Sequence, residues 1–133
     1  MYEITVDYEG AYKYRAASRD CIVSVSLPKE GMSADGITPP DLLLASIGSC
    51  LAVYLERYLT GAAIPFHTFS IHVTSEICKE SPHYLKNIDS RIEIQGASLD
   101  EKRKKALLDF VRNCPVHNTL IHNPTVSIAL TSD

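Results

Sequence analysis

Two cysteines stand where their thiols could take part in chemistry. Cys50 lies in the middle of a long apolar stretch, TPPDLLLASIGSCLAVYLERYLTG, at residues 38–61. Cys114 is followed directly by Pro115, in the sequence NCPVHNTL. A thiolate is a nucleophile, a metal ligand and a partner in disulfide exchange, so each chemistry has to be considered. A cysteine among apolar residues can also be a small core residue, and this alternative stays open for Cys50.

The surroundings of Cys114 predict a helix that begins immediately after it. Proline suits the first position of a helix, because its missing N–H would be unpaired there anyway. Cys114 then lies at the helix N-terminus, where free N–H groups and the positive end of the helix dipole stabilise a thiolate. His117 and His122 raise a metal site as an alternative, but the sequence lacks the C-x-x-C and H-x-x-x-H pairs usual in zinc sites. We therefore expect no metal.

The apolar stretch around Cys50 predicts a helix that other parts of the structure surround. Thr38 and Asp41 form a capping box at its start, and Gly61 is the expected left-handed stop. Apolar residues occupy most sides of this helix, whereas a surface helix shows a single stripe. Gly48 costs about 1 kcal/mol relative to alanine in a helix interior, which indicates that another element packs close to the backbone there.

The remaining elements predict an α+β fold in a single domain, residues 1–133. Periodicity and turn signals indicate strands at 2–8, 12–16, 21–27, 67–77, 86–95 and 125–130, a loop at 28–38, and a second helix at 99–112. Cys21 falls on the core face of its strand, and Ser98 with Glu101 forms the capping box of the second helix. The two strands after the first helix should pair antiparallel, which favours α+β over a parallel, doubly wound sheet.

Together, PPDLLLASIGSC and CPVHNTL resemble the two cysteine motifs of the OsmC/Ohr family of peroxide-reducing thiol proteins, and the resemblance extends from Tyr2 to Leu130. It implies an OsmC-like fold, with antiparallel sheets around two central helices in an intertwined homodimer. A single copy would cover so apolar a helix poorly with six short strands, which agrees with a dimer.

The resemblance also implies a mechanism. Cys50 would be the peroxidatic cysteine and Cys114 the resolving cysteine, and the two would condense to a disulfide. Organic hydroperoxides would be the substrates and an external dithiol the reductant, with no cofactor. Apolar surroundings disfavour a thiolate, so Cys50 requires a cation. By resemblance the cation is Arg15 in YEGAYKYR, with Arg19 as the alternative and a solvent-facing role for Arg15 also open.

One position departs from the family pattern. Well-studied members carry a glutamate ten residues before the first cysteine, where it orients the arginine. In this sequence Pro40 occupies that position. Asp41, one residue later, is the candidate replacement, with helix capping alone as the alternative role.

Composition excludes several classes of function. A formal net charge of −3 offers no attraction to nucleic acid or to an anionic membrane. Glu56 and Arg57 interrupt the most apolar stretch, so we expect no membrane span, and the N-terminus lacks the pattern of a secretory signal. Four cysteines without such a signal favour a cytoplasmic protein with reactive thiols.

Two other functions compete with the peroxidase. One is a non-catalytic domain that binds a small apolar ligand in a cavity of the dimer and uses Cys50 only for packing. The other is a redox sensor that forms the same disulfide without turnover. Consumption of peroxide with a dithiol reductant separates the enzyme from both.

Overall fold

The computed structural model describes residues 1–28 and 35–133, and part of the predicted loop at 28–38 lies outside them. The described residues form two compact units, Met1–Ala45 and Ser46–Asp133. The elements follow the order β1 (Thr5–Gly10), β2 (Lys13–Ser18), β3 (Cys21–Ser26), α1 (Pro39–Gly61), β4 (Thr68–Ile77), β5 (Leu85–Gln95), α2 (Glu101–Val111) and α3 (Pro115–His122). Helices and antiparallel sheets confirm the α+β class, and the single domain stays a prediction.

The first unit contains a three-stranded antiparallel sheet in the order β1-β2-β3. Arg15 on β2 lies opposite Asp7 on β1 and opposite Ser24 on β3. Ala16 and Val25 are buried, but Cys21 is exposed, so the prediction that Cys21 is a core residue was wrong. Alternation predicts which residues share a face of a strand, and it does not predict that another element covers that face.

The predicted cap at the start of α1 is confirmed. The hydroxyl of Thr38 donates to Oδ2 of Asp41 at 2.6 Å, and the Asp41 N–H lies 3.4 Å from the Thr38 oxygen. At the other end, the left-handed residue is Ala63, with φ of 52°, and not Gly61 as predicted. The N–H of Ile64 bonds to the carbonyl of Leu59 at 2.9 Å, which places the terminating turn two residues beyond the glycine.

One stripe of α1 is buried within the chain. Its members are spaced four residues apart: Ile47, Leu51, Leu55 and Leu59. By length and composition alone this helix is long and apolar enough to cross a membrane, a test that the central helices of globular proteins also pass. Only 22% of its most apolar 18-residue window is buried in one copy of the chain. The prediction that structure surrounds most sides of α1 is therefore not met by one copy of the chain.

The second unit contains the β4–β5 hairpin, whose antiparallel pairing confirms the prediction. Phe69, Ile71 and Val73 share the half-buried face of β4, and Ile71 pairs with Ile92 of β5. A methyl group at Gly48 of α1 would lie 3.1 Å from Cγ2 of Val73. The close packing predicted from this glycine is thus present, and β4 provides it.

The second helix begins later than predicted. Asp100 caps α2 by accepting the N–H of Arg103 at 2.7 Å, so Ser98 is not the cap. Aspartate and serine are about equally good cap residues, and a local pattern cannot choose between two positions so close together. Leu107 and Val111 form the buried stripe of α2.

The predicted C-terminal strand at 125–130 is absent from the described structure. The segment contains no regular element, and Val126, Ile128 and Leu130 are 81%, 96% and 91% exposed. A strand exists only when a neighbouring strand completes its hydrogen bonds, and none of the strands in the described part of the chain pairs with this segment. The alternating sequence is therefore suited to a strand, but one chain provides no neighbour for it.

Candidate active site

A disulfide between Cys50 and Cys114 is the central feature of the second unit. It joins the middle of α1 to the residue that precedes α3, across a sequence separation of 64. The two Cα atoms are 5.9 Å apart, within the roughly 4.4–6.8 Å range of disulfides. The expected juxtaposition of these two thiols is therefore confirmed.

Cys114 caps α3, as Pro115 at the first helical position predicts. The backbone N–H of His117 donates to Sγ of Cys114 at 3.4 Å, and the N–H of Asn118 donates to its carbonyl at 3.0 Å. Cys114 is fully buried. The helix N-terminus thus directs a hydrogen-bond donor at the sulfur, and the group that His117 contributes is its backbone rather than its imidazole.

Cys50 lies in a different environment. It is partly exposed and occupies the interior of α1, beside the buried stripe that contains Ile47 and Leu51. Backbone N–H groups in a helix interior donate to carbonyls one turn earlier, so they are not available to donate a hydrogen bond to a negatively charged side chain. A thiolate at Cys50 therefore depends on a cation from elsewhere.

An aromatic cluster next to the disulfide was not anticipated from the sequence. Phe110 of α2 packs between Tyr54 and Tyr58 of α1, with ring centroids 5.9 and 5.6 Å apart. Tyr54 is one turn after Cys50, and Phe110 is one turn before Cys114. The cluster therefore holds the end of α2, and with it the start of α3, against α1. The four-residue spacing of the two tyrosines was the only signal in the sequence.

The candidate cations lie in the first unit. Arg15 and Arg19 line one pocket of about 470 Å³ together with Asp7. Nη1 of Arg15 is 4.0 Å from Oδ2 of Asp7, and the Arg15 side chain is 40% exposed. This ion pair is long and open to water, so it holds the guanidinium weakly. The catalytic role of Arg15 stays a prediction.

Asp41 takes part in the capping of α1. Its Oδ2 accepts hydrogen bonds from both the hydroxyl and the N–H of Thr38. These contacts account for an acidic residue at this position without any catalytic role. A second role for Asp41, beside an arginine, stays a prediction.

Metal ligation finds no support in the histidines near Cys114. Nδ1 of His122 lies 2.8 Å from the carbonyl oxygen of Asn118 and donates to it. Across residues 1–28 and 35–133, no group of three or more histidine, cysteine, aspartate or glutamate side chains could hold a metal ion. The other two cysteines, Cys21 and Cys78, are free thiols.

The pairing of cysteines can be checked directly. Without reduction, a proteolytic map of the oxidised protein should contain one cross-linked peptide pair that carries Cys50 and Cys114. Cys21 and Cys78 should react with an alkylating reagent in the same sample. A Cys21→Ser/Cys78→Ser protein is the matched control and should give the same cross-linked pair. A disulfide that includes Cys21 or Cys78 would contradict the assignment.

Comparison with known proteins agrees with this fold. The family model described as OsmC-like protein matches residues 31–129. None of the curated proteins matches the chain.

Three solved structures are similar in fold. An OsmC like protein from Mycoplasma pneumoniae is 23% identical, with a TM-score of 0.80 over 92% of this chain and 89% of that one. An organic hydroperoxide resistance protein from Elizabethkingia anophelis is 19% identical, with a TM-score of 0.70 over 92% and 91% of the two chains. An organic hydroperoxide resistance protein OsmC, predicted redox protein, from Legionella pneumophila is 16% identical, with a TM-score of 0.68 over 92% of both chains. At these identities the similarity establishes the fold, and the family match over most of the sequence shows that the chain belongs to the OsmC-like family.

Proposed function

We propose that this protein is a thiol peroxidase that reduces organic hydroperoxides, with Cys50 as the peroxidatic and Cys114 as the resolving cysteine. The observation that carries the proposal is the disulfide between the middle of α1 and the N-terminus of α3. Two relatives in fold are organic hydroperoxide resistance proteins, which supports the substrate class. The redox state that the structure shows is the product state of the proposed reaction.

Among the groups of the protein, only the two thiols form and break bonds in this reaction; the hydroperoxide and an external dithiol are the other reactants. The Cys50 thiolate attacks the outer oxygen of a hydroperoxide, the O–O bond breaks, and the alcohol leaves after it takes up a proton. Cys50 is then a sulfenic acid. The Cys114 sulfur attacks it, water leaves, and the disulfide forms. An external dithiol returns both cysteines to thiols by exchange and is itself oxidised to a disulfide.

The first step needs positive charge at Cys50, which α1 does not supply. Arg15 is the proposed source, because the ion pair that its guanidinium makes with Asp7 is long and solvent-exposed and so holds it weakly. Arg19, which lines the same pocket, is the alternative cation. Asp41 is the proposed carboxylate partner of this arginine in place of the family glutamate, in addition to its contacts with Thr38. The reaction needs a compartment in which dithiols are maintained, which fits the cytoplasm.

We also propose that the active form is a homodimer. One copy leaves much apolar surface uncovered: Ile4, Val6 and Tyr8 near and on β1, Val53 on α1, and Val126, Ile128 and Leu130 near the C-terminus are between 46% and 96% exposed. Large apolar side chains left this exposed are typical of surfaces that a partner covers. The 125–130 segment also has the alternation of a strand without a neighbour, which a second copy can provide.

One observation favours a function in ligand binding as the second candidate. An apolar pocket of about 320 Å³ lies between β5 and α2 and is lined by Ile92, Ile94, Ala97, Leu99, Lys104, Leu107 and Leu108. Neither Cys50 nor Cys114 belongs to its lining. A small apolar ligand could bind there without any thiol chemistry. Loss of peroxide reduction in cysteine variants distinguishes the two candidates.

Single cysteine variants test the proposed chemistry. With cumene hydroperoxide and dithiothreitol, Cys50→Ser should consume no peroxide above the background rate of the dithiol. Cys114→Ser should consume one equivalent in the absence of dithiol and stop at a sulfenic acid that dimedone traps at Cys50. Cys21→Ser and Cys78→Ser are the controls and should turn over like the wild type. A Cys50→Ser protein as active as the wild type would refute the mechanism.

Substitution of the proposed cation should slow only the first step. Arg15→Ala should lower the rate of Cys50 oxidation at neutral pH by about tenfold or more, because less of the thiol is ionised without the guanidinium. Raising the pH should restore much of this rate, since it ionises the thiol directly. Lys13→Ala, on the same strand and face, is the matched control and should leave the rate unchanged. A larger effect of Arg19→Ala than of Arg15→Ala would instead assign the cation to Arg19.

Sedimentation tests the homodimer. At micromolar concentration the protein should sediment as a dimer, with an interface above about 2,000 Å², as obligate dimers have. Ile128→Asp should shift it towards monomer, because a charge replaces a side chain that the second copy would cover. Ser127→Asp, its neighbour on the other face of the extended segment, should have a smaller effect. A stable wild-type monomer would contradict the proposal.

A further inference from the structure

The two sulfurs of the disulfide differ in their access to solvent. Cys114 is fully buried, with the buried Val111 three residues before it on α2. Cys50 is partly exposed. In thiol–disulfide exchange the incoming thiolate approaches one sulfur from the side opposite the other sulfur, so access to the attacked sulfur helps to determine the rate. In one copy of the chain, Cys50 is therefore the more accessible of the two cysteines to an external thiol.

The two sulfurs also differ as leaving groups. If Cys114 leaves, the negative charge develops where the N–H of His117 already points at Sγ, at 3.4 Å, and where the first turn of α3 directs its dipole. If Cys50 leaves, the charge develops inside α1, where the backbone N–H groups are already bonded along the helix. The better stabilised thiolate leaves faster. Access and leaving-group stability thus favour the same direction of attack.

We propose that the reductant attacks Sγ of Cys50 and that Cys114 leaves as a thiolate held by the backbone N–H of His117. The proposal rests on the proposed peroxidase function and adds the order of its regeneration half. The thiolate of an external dithiol forms a bond to Cys50, the Cys50–Cys114 bond breaks, and its electron pair stays on Cys114, which later takes up a proton. The second thiol of the reductant then attacks the first, is oxidised to a disulfide with it, and releases the Cys50 thiolate.

In this order each cysteine has the same kind of reaction partner during oxidation by the peroxide and during reduction by the dithiol. Cys50 meets every external molecule, first the hydroperoxide and then the reductant, because it is the more exposed of the two cysteines. Cys114 reacts only with Cys50. His117 is a positioning residue in this scheme, because its backbone acts on the leaving sulfur and touches neither external reactant.

The test begins with the oxidised protein and uses no peroxide, so its result does not depend on peroxidase activity. In a Cys21→Ser/Cys78→Ser background, oxidised protein is exposed briefly to 2-mercaptoethanol, quenched with acid and alkylated with N-ethylmaleimide. Peptide mass spectrometry should find the mercaptoethanol adduct on Cys50 and the maleimide on Cys114. The reverse distribution would overturn the proposal. Cumene hydroperoxide turnover, measured separately on the same protein, decides the proposed function.

A pair of substitutions tests the role of the His117 N–H. His117→Pro removes this donor without breaking a backbone hydrogen bond of α3, because an N–H in the first turn has no carbonyl partner within the helix, and His117→Ala removes the imidazole but keeps the donor. Reduction of the disulfide by dithiothreitol should be about three- to tenfold slower in His117→Pro and unchanged in His117→Ala. Equal rates in both variants would overturn the leaving-group role. If His117→Pro fails to fold, as circular dichroism would show, the position of the adduct in the protein that retains His117 still decides the direction of attack.

Discussion

The meeting of Cys50 with Cys114 is the constraint on which the rest of the second unit depends. A cysteine in the interior of one helix must lie within bonding distance of a cysteine that precedes another helix, with Cα atoms 5.9 Å apart. Phe110 packs between Tyr54 and Tyr58 and so fixes the end of α2 one turn away from the disulfide. On α1, the absence of a side chain at Gly48 lets Val73 approach closely. Both contacts support the region around Cys50, and neither touches its sulfur.

Local signals in the sequence predicted the parts of this arrangement that depend only on neighbouring residues. Thr38 with Asp41, and Cys114 with Pro115, specify helix starts through hydrogen bonds that span three residues, and the structure contains both. The juxtaposition of the two cysteines followed from resemblance to a family, since no local rule relates positions so far apart. The Tyr54–Phe110–Tyr58 cluster was missed because aromatic residues at helical spacing do not indicate which element they contact.

Three predictions that the structure does not meet share a physical cause, because each depends on residues outside the segment itself. Cys21 fits a core face, yet its exposure depends on what covers that face. The 125–130 segment has the alternation of a strand, yet a strand needs a neighbour to complete its hydrogen bonds. The other sides of α1 likewise stay uncovered by the described residues of one copy. These disagreements leave apolar side chains exposed, which agrees with the proposed homodimer.

The two cysteines differ in the backbone that surrounds them: Cys50 lies in the interior of α1, and Cys114 lies at the start of α3. A sulfur in the middle of α1 has no free N–H beside it, so its ionisation depends on a residue from elsewhere and can respond to the arrival of a substrate. A sulfur at the N-terminus of α3 has the His117 N–H built in, at 3.4 Å, whatever else is bound. The first environment suits a nucleophile that external molecules must reach, and the second suits a buried thiol that repeatedly gains and loses one bond. The proposed division of labour between Cys50 and Cys114 therefore agrees with the secondary structure around each sulfur, before any substrate is specified.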